Sequence, residues 1–211
     1  MKGFLPLLLI LFGNALWAQS RELWVSVGGS ILSHTEKNER LGSPSPDGEP
    51  GDVRIGNGYR FGFRFGFTST RHIGHEIQYA YNRTRLIDND GSILRHLGSA
   101  GTAFHQGGYN FLYYFTAANE GSGESRVRPF VTGGVHFSDF VLPGVGAVQG
   151  SSVKAGFNYG AGLKLPVSTL FSVRFDLREF ETRKPNWNNL LFRQNGLLHQ
   201  TEASAGFGFF F

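Results

Sequence analysis

The stretch "GYRFGFRFGFT", residues 58–68, places Tyr59, Phe61, Phe63, Phe65 and Phe67 at odd positions and Arg60, Gly62, Arg64, Gly66 and Thr68 at even ones. Only an extended strand sends successive side chains to opposite faces, so this segment predicts a strand with one aromatic face backed by glycine and arginine. An unbroken row of rings needs either a large apolar core or an apolar solvent. Which of the two it meets decides the fold.

The same alternation gives eight runs in all. Leu23, Val25, Val27 and Ile31 oppose Ser26, Gly28 and Ser30, and after residues 58–68 come Ile73, Ile77, Tyr79 and Tyr81, opposing Glu76, Gln78 and Asn82. A run around 104–116 aligns Tyr109, Phe111, Tyr113 and Phe115. Val127, Val131, Val135 and Phe137 follow, then Val153 through Leu165, then "LFSVRFDLREF", then "EASAGFGFFF". Long connections near 34–57, 87–98, 139–150 and 183–198 alternate with short ones near 69–71, 119–125 and 166–169. All long loops then share one end of the sheet, the asymmetry of outer-membrane barrels. With 30 Gly and 21 Phe against a single Met, a helical fold is disfavoured.

A soluble barrel would turn its apolar face inward and its polar face to water. Eight strands enclose a lumen just wide enough for side chains to fill, and rows of Phe and Tyr would overfill it. The opposite faces carry Gly, Ser, Asn and Thr with few charges, where a water-facing wall would show many Lys and Glu. The expectation is therefore an all-β, eight-stranded antiparallel up-and-down transmembrane β-barrel, with small polar residues inside and aromatics in lipid. Closure also satisfies backbone groups that hydrocarbon cannot. Phe67, Phe115, Phe171 and Phe211 are expected near the short-turn interface, and Tyr59, Tyr81 and Tyr109 near the other.

The opening "MKGFLPLLLILFGNALWAQS" reads as a signal peptide, with Lys2 as its basic region and cleavage after Ala18, leaving a barrel domain over 19–211. No other segment reads as a spanning helix. The absence of cysteine removes disulfide and thiol chemistry and suits an oxidising compartment. A formal charge of +4 without any dense basic run does not call for nucleic acid.

The leader, the eight alternating strands, "FNYGAGLKL", "VRFDLREF" and the terminal aromatic strand resemble the small outer-membrane β-barrel family related to OmpA and OmpX. That resemblance implies an outer-membrane location, reached through the periplasm, with surrounding outer-membrane lipids and lipopolysaccharide. It also implies that Phe207, Phe209 and Phe211 serve as the C-terminal signal read by the barrel-assembly machinery. The peptidoglycan-binding domain that follows the barrel in OmpA is expected to be missing, and the barrel to be a monomer.

Lipid-facing odd positions leave Arg60, Arg64, Glu76, Arg128, Lys154, Arg174, Asp176, Arg178 and Glu202 pointing into the lumen. A turn centred near Thr70 would set Arg64 opposite Glu76. Such a cluster reads as a polar plug; since its cations outnumber its anions, the alternative is a narrow, mildly anion-preferring conduit. "GVHFSDF" offers His136, Ser138 and Asp139 as base, nucleophile and carboxylate. The His-x-Ser spacing is similar to that of the outer-membrane lipid A deacylase family, which would imply lipid deacylation. Asp139 stands where that family has Asn, however, no downstream Glu completes the set, and parity turns His136 and Ser138 inward. No catalytic residue is assigned.

His34, His72, His75, His96, His105 and His199 lack metal-site spacing, and neither a metal nor a cofactor is expected. The glycines alternate within strands with no helix behind them, so they read as packing rather than nucleotide-binding residues. The long polar loop ending in "DVRIGNG" is a candidate for binding an extracellular ligand. The function expected from these readings is a non-enzymatic barrel serving envelope integrity or surface interaction.

Overall fold

The computed structural model describes residues 20–32, 53–88, 99–117, 127–141, 151–185 and 196–211. The leader expected over 1–18, most of the loop near 34–57, and His34 and His96 lie outside them. The described residues form β1 (Ser20–Ile31), β2 (Val53–Ile55), β3 (Gly58–Thr68), β4 (Ile73–Asp88), β5 (Ser99–Tyr114), β6 (Arg128–Val141), β7 (Ser151–Pro166), β8 (Phe171–Arg183) and β9 (Leu197–Phe210). Apart from β2, which pairs only with β4, successive strands pair antiparallel, and β9 pairs back onto β1, closing the sheet.

The short β2 lies in a segment that reads as loop, because three residues are too few to show alternation. It pairs with β4 in line with β3, and the two are halves of one strand. Ile55 faces Leu86, whereas Tyr59 faces Arg83, so the β2–β3 side carries one extra residue, a bulge at Gly56 and Asn57. The hydroxyl of Thr84 donates to the Gly56 carbonyl, and the Leu32 N–H donates to Asn57 Oδ1 at 2.8 Å, tying the bulge to both neighbouring strands. Eight strands therefore encircle the lumen, as the periodicity predicts.

Following paired residues around the wall measures its stagger. The path runs from Arg21 through Phe67, His75, Phe111, Gly133, Tyr159, Glu179 and Thr201, and returns to β1 at Ile31, ten residues from its start. With strands about 4.8 Å apart and a rise of about 3.3 Å per residue, this stagger sets a tilt of about 41° and a Cα radius of about 8 Å.

Every pairing outside β2 joins residues of equal parity, so the wall sorts into even-numbered side chains inward and odd-numbered ones outward. Ahead of the bulge the parity reverses, and Ile55 is buried. The lumen is not restricted to small polar residues, contrary to expectation. Trp24, Phe104, Tyr114, Phe130, Phe140 and Phe180 are all buried. They fit because inward glycines leave room: a Cβ on Gly208 would lie 2.5 Å from the Trp24 ring, one on Gly74 2.9 Å from Tyr114, and one on Gly162 inside the Phe130 ring's contact distance. Volume is balanced across the barrel rather than residue by residue.

The turn after β3 also corrects the expected register. Ser69 N–H donates to the Ile73 carbonyl at 3.0 Å, which centres the turn on Arg71, and Arg64 consequently pairs with Gln78 rather than Glu76. Tyr109 pairs with Ile77, and its hydroxyl bonds His75 Nδ1 toward the short-turn end, so it is not part of the opposite girdle. His75 points outward between Ile73 and Ile77. It stacks on Phe67 at 4.9 Å and reaches Ser69 Oγ with Nε2 at 3.1 Å, so both ring nitrogens are satisfied on the apolar wall.

Candidate functional site in the lumen

Inward parity on β3, β4, β8 and β9 assembles a charge network across the barrel. Arg64 reaches Asp176 with Nη1 at 2.8 Å and Glu202 with Nη2 at 2.6 Å. Arg174 contacts Glu76 at 2.6 Å and Asp176 at 2.8 Å, and Arg178 contacts the same two carboxylates at 2.9 and 3.0 Å. β4 and β8 lie four strands apart around the ring, so Glu76 and the two β8 arginines brace the full diameter. Although the strands do not pair them, Arg64 and Glu76 still approach to 3.8 Å. Arg60 lies 3.1 Å from Glu202, an ion pair without hydrogen-bond alignment, and its guanidinium stacks 4.8 Å above Phe180.

Neutral donors and acceptors extend the network. Asn110 donates to Glu76 at 3.1 Å, Gln78 accepts from Arg178 at 3.2 Å, and Ser204 donates to Glu202. Toward the long-connection end an amide layer takes over: Gln106 donates to Gln200 at 2.8 Å across the lumen and accepts from Arg60, and Gln200 donates to Ser30 at 2.8 Å and Asn82 at 3.2 Å. A buried polar set this densely bonded rigidifies the wall, because opening it would strand charges away from water.

The short-turn end holds a third layer, and here sequence reasoning missed two residues. Lys164 Nζ bonds Glu22 Oε2 at 2.6 Å and sits 4.9 Å above the Tyr114 ring. Both residues are even-numbered. Starting the first strand at Leu23 hid Glu22, and extending parity through "GAGLKL" would have found Lys164. Arg128 stacks 3.8 Å over Tyr114 and donates to the carbonyls of Thr116 and Arg71. Arg174 lies 4.4 Å over Phe130. Aromatic faces thus share the work of holding inward cations. Lys154 keeps the inward register but is only half-buried and joins no ion pair among the described residues.

His136 and Ser138 are buried on the lumen side. His136 Nε2 meets Thr182 Oγ1 at 2.8 Å, and Ser138 Oγ accepts from Gln106 Nε2 at 3.1 Å. Asp139 has odd parity and faces away from both. Among the described residues, no group of His, Asp and Glu is arranged to hold a metal ion. Phe207, Phe209 and Phe211 face outward, with Phe207 stacked on Phe171 at 5.2 Å and Phe209 on Phe211 at 6.2 Å.

The profile described as outer membrane protein beta-barrel domain matches residues 4–211. The chain belongs to that family. The outer membrane protein AlkL, determined in DMPC lipid bilayers, is 15% identical with a TM-score of 0.59, the match covering 92% of each chain. OprG from Pseudomonas aeruginosa is 13% identical with a TM-score of 0.55, covering 92% of this barrel and 96% of OprG. At these identities the likeness concerns the fold. No curated protein sequence matches. The barrel is a bacterial outer-membrane protein, and its solvent is therefore lipid: Val27, Val135, Phe137, Phe175, Leu177 and Phe207 of its outer face are exposed apolar residues.

Proposed function

We propose that this barrel is a non-enzymatic, monomeric scaffold with a filled lumen, holding its long connections at the cell surface and serving envelope integrity or surface interaction. The observation that carries this reading is the brace from Glu76 to Arg174 and Arg178 across the full diameter, at 2.6 and 2.9 Å. Aromatic and amide layers at either end of that brace support it further. The inward burial of His136 and Ser138 argues against lipid deacylation, because neither side chain reaches the wall that lipid wets. In this reading residues 1–18 direct export, and Phe207, Phe209 and Phe211 engage the assembly machinery.

Planar-bilayer recording tests the plug. Wild type and an Arg64→Ala variant are expected to give no conductance steps. Steady anion-preferring steps from wild type would replace the scaffold by a narrow channel, the reading favoured by the network's four arginines against three carboxylates. Mass spectrometry of lipid A from expressing cells should show unchanged acylation. Deleting residues 36–52, which stop short of β2, should leave the barrel folded while abolishing any surface binding carried by that loop.

A further inference from the structure

Near the long-connection end, two charged patches interrupt the apolar outer wall, and they differ in how they are satisfied. On β8 and β9, Glu181 accepts from the Tyr159 hydroxyl at 3.2 Å and Glu179 from Thr201 at 2.6 Å, with His199 lying 3.9 Å from both carboxylates. That acidic patch is internally partnered. On β2 and β4, the outward residues Arg54, Arg83 and Arg85 have neither a hydrogen bond nor an ion pair among the described residues, and Arg54 Nε is enclosed without an acceptor.

The register brings these three arginines together. Arg54 pairs with Ile87, two residues beyond Arg85, and Arg83 follows on the same face. Each Cα therefore lies within about 8 Å of the next. Two glycines make the floor on which the side chains lie. A Cβ on Gly56 would come within 3.2 Å of the Arg85 stem, and one on Gly101, directly across from Arg85, would sit 2.8 Å from Arg83 Nη2. The Arg83 guanidinium is thus drawn over Gly101 to the level of Arg85 instead of projecting from the wall.

Depth fixes the partner's chemistry. Tyr59 pairs with Arg83, and Tyr81 lies two residues below it, so Arg83 stands level with the upper edge of an aromatic band that marks the interface, with Arg85 and Arg54 just beyond it. An outward arginine costs about 2–4 kcal/mol at the bilayer midplane but only about 0–1 kcal/mol near its surface. Guanidinium forks match phosphate oxygens through paired charge-assisted hydrogen bonds. We propose that Arg54, Arg83 and Arg85 form a binding site for the phosphate of a phosphorylated lipid in the outward-facing leaflet. This rests on the long connections lying at the cell surface, an orientation tested separately by labelling them on intact cells.

The test uses the full barrel refolded in zwitterionic phosphatidylcholine nanodiscs doped with bis-phosphorylated lipid A, or with the same lipid dephosphorylated, and reads lipid retained by native mass spectrometry. Wild type is expected to retain the phosphorylated form about tenfold better, a preference that Arg54→Gln, Arg83→Gln and Arg85→Gln together abolish. Gly101→Val keeps every charge but displaces the Arg83 guanidinium, and should weaken retention several-fold at unchanged thermal stability. Equal retention of both lipids by wild type, or undiminished preference in the triple variant, overturns the proposal. Inorganic phosphate that displaces the lipid completely at equal concentration would identify a free-phosphate site and overturn the lipid assignment.

Discussion

Replacing Glu76 by Gln isolates the energetic claim behind the filled lumen. The substitution preserves volume and one acceptor for Asn110, but removes the charge that faces Arg174 at 2.6 Å and Arg178 at 2.9 Å across the barrel. Asp176 is then the one carboxylate left to Arg174 and Arg178 among the described residues, and it also serves Arg64 at 2.8 Å. Deleting one partner of a buried ion pair costs about 3–5 kcal/mol, because the remaining charge stays desolvated. With a urea dependence of about 2 kcal/mol per molar, the unfolding midpoint should fall by about 1.5–2.5 M. The assay is reversible urea unfolding in lipid vesicles, followed by intrinsic fluorescence and heat-modifiable gel migration. Arg183→Gln, an exposed control, should stay within about 0.5 kcal/mol of wild type. The double variant Glu76→Gln/Arg178→Gln should lose less than the sum of its parts, by about 1–3 kcal/mol. A midpoint shift below about 0.3 M for Glu76→Gln would refute the reasoning, since the pairs would then be worth no more than surface ones and water must be screening the lumen.

Gly208→Ala should destabilise by about 1–3 kcal/mol in the same assay, because its Cβ would meet the Trp24 ring at 2.5 Å, while Gly29→Ala, with open space around it, should stay near neutral. Leu177→Arg, at a lipid-facing position 60% exposed, should cost about 2–4 kcal/mol, and a neutral result would deny that lipid wets this wall. Phe211→Ser should lower the folded fraction reaching the outer membrane in cells while leaving refolding into vesicles intact, as measured by gel migration of each preparation. Equal losses in both would assign Phe211 to stability rather than to assembly.

The rows of Phe and Tyr, broken by polar neighbours at every second residue, made the strands legible because strand geometry and side-chain alternation are the same fact. Parity alone placed Arg60, Arg64, Glu76, Arg128, Arg174, Asp176, Arg178 and Glu202 inside, and it would have found Glu22 and Lys164 had the strands been read to their ends. It could not find the bulge at Gly56 and Asn57, where one inserted residue reverses the faces of β2, nor the wider turn at Arg71 that moves Arg64 from Glu76 to Gln78.

The chain by itself determined which side chains face lipid and which face the lumen, since that depends only on local backbone period. Tertiary structure decided who meets whom across the barrel: the ten-residue stagger sets both the radius and the relative height of opposing strands. That global closure condition brings Glu76 to Arg174 and Arg178, and fits glycine against tryptophan. No local window of sequence contains it, because the stagger accumulates a little at each of the eight pairings and becomes definite only when the last strand meets the first.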